Sequence, residues 1–173
     1  MYRRINFFGV PNSGKSTVAA DMFSEMRKLN LKVELVQEAI KPWAYAGKKV
    51  DPWDTLWFYA EQIRRENELL KFVPLVITDS PVMLAAFYAG PESQPSLVDI
   101  GRLFDRKYKP LNILLLPDGL PYETKGRYQT ATEAAEMLGP LQYFMNTYCN
   151  PFVAIQAKDT AGVYNYLASE KVL

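Results

Sequence analysis

Apolar residues along the chain fall into two kinds of run. Residues 5–10, 32–38, 72–79, 111–116 and 152–156 are short, largely apolar and bounded by polar or turn-forming residues. Runs of this length read as strands buried in a sheet. Between them the apolar positions are spaced for helices. Val18, Ala19, Met22, Phe23, Met26 and Leu29 recur at a period near 3.6, with Lys28 and Asn30 at the end. Leu56, Tyr59, Ala60, Ile63 and Leu70 mark one face of a helix over 55–71. Further helices are predicted over 97–108, ended by Pro110, over 132–147 with an interruption near Gly139-Pro140, and over 160–171. A helix also starts within 83–88. Residues 42–54, 90–96 and 117–129 read as irregular from their Gly, Pro and polar content.

Strands that alternate with helices predict an α/β fold, a parallel sheet with helices on both faces. Ligands of such sheets bind beyond the carboxyl ends of the strands. The residues to inspect are therefore those from Gly9 onward, Glu38, Asp79 and the stretch after Leu116.

Composition narrows the chemistry. The 173 residues suit one domain, 1–173, and 49% of them are apolar, enough for a core. A net charge of +1 gives no global attraction to nucleic acid or anionic membrane. There is no histidine, which excludes histidine metal sites, Ser-His-Asp triads and imidazole acid–base work. Cys149 is the single cysteine, so no internal disulfide forms and a reducing, cytoplasmic setting is expected. The start of the chain lacks a signal-peptide pattern, and no run is long enough to span a bilayer.

Gly9-Val10-Pro11-Asn12-Ser13-Gly14-Lys15-Ser16 matches G-x-x-x-x-G-K-[ST] in full, the Walker A pattern, with Thr17 after it. The pattern follows a predicted strand and opens a predicted helix, the context it requires. Gly9 and Gly14 let successive N–H groups turn inward around phosphate oxygens. Lys15 is placed for the β- and γ-phosphates, and the Ser16 hydroxyl for magnesium. The nucleotide-binding residues are thus Gly9, Pro11, Asn12, Ser13, Gly14, Lys15, Ser16 and Thr17.

Two acids stand at strand exits, Glu38 and Asp79. A carboxylate beside a phosphate loop can hold magnesium or accept a proton from an attacking hydroxyl. Asp79 is assigned mainly to the metal, with Ser16, and Glu38 mainly to the acceptor hydroxyl, although either position can serve either task. Residues 117–130, with Lys125-Gly126-Arg127, read as a lid whose Arg127 closes over transferring charge. Trp43, Phe58, Gln62 and Arg65 lie in the aromatic-rich segment between strands two and three. Aromatic faces stack on bases and an amide reads a base edge, so these four are candidate acceptor-binding residues.

These residues resemble the P-loop nucleoside and nucleotide kinases, and within them the nicotinamide-riboside-kinase-like ATPase group of bacteria and phages. The phosphate loop, Glu38, Asp79-Ser80 and the segment from Asn112 to Tyr122 with Lys125-Gly126-Arg127 carry the resemblance over nearly the whole chain. It implies a three-layer fold with a five-stranded sheet in the order 2-3-1-4-5, ATP as donor and magnesium. The expected activity is transfer of the γ-phosphate of ATP to a nucleoside or nucleotide by a monomer or homodimer. Two other readings stand beside it. One is a kinase acting on a hydroxymethylated pyrimidine in DNA, for which Arg102, Arg106, Lys107 and Lys109 form a candidate backbone-binding cluster. The other is a nucleotide-binding switch that controls a partner.

Overall fold

The computed structural model describes residues 1–119 and 121–173. Five strands, β1 (Arg4–Phe8), β2 (Val33–Val36), β3 (Leu75–Thr78), β4 (Pro110–Leu116) and β5 (Phe152–Gln156), form one sheet. Its order is β2-β3-β1-β4-β5, and every pairing is parallel. The sheet order is the expected one, and the Walker A loop leaves its central strand.

Among the described residues the helices are α1 (Lys15–Lys28), α2 (Lys41–Tyr45), α3 (Pro52–Leu69), α4 (Val82–Tyr88), α5 (Gln94–Lys107), α6 (Ala131–Glu136), α7 (Leu138–Tyr148) and α8 (Thr160–Ser169). They cover both faces of the sheet. Side chains alternate along β1, so Ile5 and Phe7 pack with Met22 and Met26 of α1 and Val163 and Leu167 of α8. Phe8 faces the other way, into a core with Tyr59, Leu97, Phe104, Leu141 and Phe144. Arg4 and Asn6, in phase with Phe8, are buried polar residues on that second face.

Three helical boundaries differ from the sequence expectation. The segment 42–54 is not wholly irregular, because it holds α2 and the start of α3. Asp51 caps α3 through the Trp53 N–H at 2.8 Å, Asp54 returns a bond to the Asp51 N–H at 2.8 Å, and Pro52 occupies a position where no N–H is needed. α5 starts at Gln94 rather than 97, again with a proline in its first turn. The interruption predicted near Gly139-Pro140 falls at Met137, between α6 and α7. Pro140 lacks an N–H and so fits the first turn of α7 but not the middle of one long helix.

Candidate active site

The phosphate loop joins β1 to α1. Gly14 caps the helix with a φ of 81° and no side-chain cap, so the first-turn N–H groups of α1 have no capping side chain over them. Asn12 also takes a positive φ, 67°. At Gly9 the requirement is space: a Cβ there would lie 2.2 Å from Ser13 Oγ and 2.9 Å from the Leu115 carbonyl oxygen. The Ser13 hydroxyl is buried and has no partner among the described residues. Lys15 folds back over the loop, and its Nζ donates to the carbonyls of Gly9 and Val10, each at 2.9 Å. Burial lowers the Lys15 ammonium to about 8, while Glu38 and Asp79 pull it the other way.

Glu38 and Asp79 follow two neighbouring strands, and parallel pairing of β2 with β3 brings them together. The Asp79 carboxylate accepts the Glu38 N–H at 3.0 Å. That bond fixes Asp79, which is buried, and leaves the Glu38 side chain facing the cleft. Burial pushes the Glu38 carboxyl above the usual range; Lys15 opposes this, Asp79 adds to it, and Lys41 and Arg127 oppose it further. A carboxylate held in this way is a better proton acceptor than an ordinary glutamate.

The cleft has a volume of about 780 Å³. Residues 11–17 line it together with Glu38, Phe58, Gln62 and Tyr88. The loop after β4 closes one side. Arg127 donates from Nη2 to Asn12 Oδ1 at 2.8 Å and from Nε to the Glu123 carbonyl at 2.7 Å. Asn12 Nδ2 donates in turn to the Pro121 carbonyl at 3.1 Å. The phosphate loop and the late loop are therefore tied through one amide. Gly126, at a φ of 76°, sits against Tyr45, whose ring carbon would lie 2.7 Å from a Cβ.

Most of the residues singled out in the sequence meet in this cleft. Gly9, Lys15, Glu38, Asp79 and Arg127 converge through the bonds and charge interactions above, and Pro11, Asn12, Ser13, Gly14, Ser16, Thr17, Phe58 and Gln62 line the walls. Trp43 and Arg65 do not line it. Trp43 stacks on Trp57 at 6.3 Å and meets the edge of Phe58 at 5.0 Å. Arg65 lies one helical turn past Glu61 and binds it at 2.9 Å, on the outer side of α3. Lys41, Tyr88 and Tyr128, absent from the sequence assignment, also line the cleft. Lys41 carried a signal, its position three residues after a strand-exit acid; the two tyrosines carried none.

The donor set suits magnesium. Ser16 in the cleft wall and Asp79 beside it offer hard oxygens, and this cation uses one or two protein oxygens with phosphate and water completing its shell. The basic cluster lies elsewhere. Lys109 starts the approach to β4, where its carbonyl accepts the Arg3 N–H, at the opposite end of these strands from the phosphate loop. Arg102, Lys107 and Lys109 rest on the rings of Tyr148, Tyr108 and Tyr2.

No protein-family model matches the sequence, and no curated protein matches it. Solved structures do match. A deoxyadenosine kinase from M. mycoides, with the products dCMP and a flexible dCDP bound, superposes with a TM-score of 0.61 at 15% identity, over 96% of this chain and 99% of that one. The same kinase with bound dATP gives 0.56 at 18% identity, over 96% and 100%. This chain shares the fold of those structures. Within that fold the Walker A loop, Glu38 and the late arginine loop line one cavity, with Asp79 bound to the Glu38 N–H. Among the described residues no helix is long and apolar enough to cross a membrane.

Proposed function

We propose that this chain is an ATP- and magnesium-dependent kinase that transfers the γ-phosphate to a nucleoside or nucleotide. The observation that carries this reading is the shared cleft, lined both by the Lys15 loop and by the Glu38 carboxylate. The structural neighbours support it, since one holds dATP and the other dCMP with dCDP.

The loop N–H groups and Lys15 hold the donor's phosphates. Glu38 accepts the proton of the acceptor hydroxyl as its oxygen bonds to the γ-phosphorus. The bond from that phosphorus to the bridging oxygen breaks, and ADP leaves. Arg127, carried on the 117–130 lid and anchored to Asn12, stabilises the charge that spreads over the transferring group. Magnesium at Ser16 and Asp79 would neutralise charge on the β- and γ-oxygens. Phe58 offers an aromatic face and Gln62 a polar edge for the acceptor's base. Arg102, Arg106, Lys107 and Lys109 do not line the cleft, so no observation favours a DNA acceptor.

A screen with γ-labelled ATP over nucleosides, nucleoside monophosphates, nicotinamide riboside and hydroxymethylated DNA tests the proposal. Label is expected on at least one small acceptor. Labelled nicotinamide riboside would place the chain with the nicotinamide-riboside-kinase-like group. Tight ATP binding with no labelled acceptor of any kind would sink the kinase reading in favour of a switch.

A further inference from the structure

A buried polar chain runs beneath the acceptor end of the cleft, and phosphoryl transfer does not use it. It starts at Arg4, which is 0% exposed on the face of β1 under α3 and α5. Arg4 Nε donates to Glu66 Oε2 of α3 at 2.6 Å, and its Nη1 donates to Asp105 of α5. The other Glu66 oxygen accepts from Gln62 Nε2 at 3.1 Å, one helical turn earlier. The second Gln62 N–H goes to Thr78 Oγ1 at 3.2 Å, an oxygen that also accepts the Ser80 N–H at 3.1 Å. Both amide protons of Gln62 are therefore committed to the protein. Its Oε1 is buried and has no partner among the described residues, and Gln62 lines the cleft.

An amide has nearly the same shape either way round, so only its neighbours decide which end faces a ligand. Reversing Gln62 would set its oxygen against the Glu66 carboxylate, two acceptors with no proton between them. A buried acceptor left unpaired costs about 1–3 kcal/mol. Glu66 is held as an acceptor by Arg4, whose guanidinium also lies 4.6 Å from the Phe104 ring centroid. The orientation of a cleft residue is thus set by a strand-one arginine that does not line the cleft.

We propose that Glu66, anchored by Arg4, is a specificity-determining positioning residue. It locks the Gln62 amide so that a carbonyl oxygen, and not an NH2 group, meets the acceptor's base. This rests on the kinase reading of the cleft. The favoured acceptor turns an N–H toward Gln62; an edge that carries only acceptors is rejected, because the buried oxygen then stays unpaired.

The test compares each acceptor with its analogue lacking that N–H: adenosine with purine riboside, cytidine with its 4-deamino analogue, thymidine with 3-methylthymidine. The wild-type chain is expected to prefer the N–H-bearing member by at least about ten-fold in kcat/KM, the cost of one unpaired buried acceptor. Glu66→Gln supplies its own NH2 to Gln62, permits the reversed amide and is expected to bring the ratio toward parity. Asp105→Asn perturbs the same buried cluster without touching Gln62, so it should keep the ratio while lowering the melting temperature. Equal losses for both members of a pair in both variants would mean a purely structural cluster and would overturn the proposal. So would a wild-type chain without preference. Side-chain amide NMR reads the lock independently of activity. Slow exchange of the Gln62 NH2 protons in the wild type, lost in Glu66→Gln, supports it, and solvent-rate exchange in the wild type refutes it even if no kinase activity is found.

Discussion

The parts of the cleft that the kinase reading gives to the phosphates and to the acceptor are built from different parts of the polypeptide. At the phosphate end the geometry is mostly backbone: a glycine with no room for a Cβ, an uncapped helix start and one lysine, all within residues 9–17. On the kinase reading the acceptor meets side chains: Glu38 from the exit of β2, Phe58 and Gln62 from α3, and Tyr88 from α4. The first end suits any triphosphate, because every donor presents the same phosphate oxygens. The second can change its ligand one side chain at a time. Asn12 joins the loop after β1 to the loop after β4, holding Arg127 on one side and the Pro121 carbonyl on the other.

Substitutions at each end should separate these roles. The largest effect is expected from Lys15→Ala, which removes the only charged side chain of the phosphate loop. Transfer should fall by roughly a thousand-fold with the thermal unfolding profile intact, and a variant that retains activity would detach the chemistry from this loop. Glu38→Gln preserves shape and the backbone bond to Asp79 but removes the proton acceptor. We expect kcat to drop about a hundred-fold with little change in KM for ATP, in steady-state assays. A loss in ATP affinity instead would move Glu38 to the phosphate end.

Asn12→Gly keeps the positive φ without strain and deletes the tie to Arg127. A charge-assisted hydrogen bond of this kind supports about a ten-fold loss of kcat/KM, with no change in acceptor preference. The smallest effect is a pH dependence. The Lys15 ammonium sits at about 8 in the free protein, so it is charged below that pH and loses its charge above it. ATP affinity measured by titration should be flat below pH 7 and about four-fold weaker by pH 8.5. A flat profile through pH 9 would mean that Lys15 holds its proton at its ordinary value.

Legibility from sequence followed locality. The strand–loop–helix around Gly9 to Thr17 was readable because the bonds that shape it join residues close in the chain. Glu38 and Asp79 were readable as strand-exit acids, since the end of an apolar run marks where a parallel sheet opens to ligands. The aromatic segment between β2 and β3 was not separable in this way. Phe58 and Trp57 are adjacent, yet Phe58 lines the cleft and Trp57 is exposed, stacked on Trp43. Arg65 looked like a ligand contact beside Gln62, but its place on α3 gives it to Glu61. Helix phase against the sheet, set by packing, decides such cases.

The sequence by itself determined the phosphate loop, the alternation of strands and helices, and the two acids that end β2 and β3. Each depends on a short stretch of chain and its own backbone preferences. Only the tertiary structure decided which side chains share the cleft, that Asn12 ties Arg127 to the phosphate loop, and which way the Gln62 amide points. Those outcomes depend on contacts across 115 residues in one case and 62 in another, from Asn12 to Arg127 and from Arg4 to Glu66. At such separations only packing of the whole sheet fixes the distance between two groups.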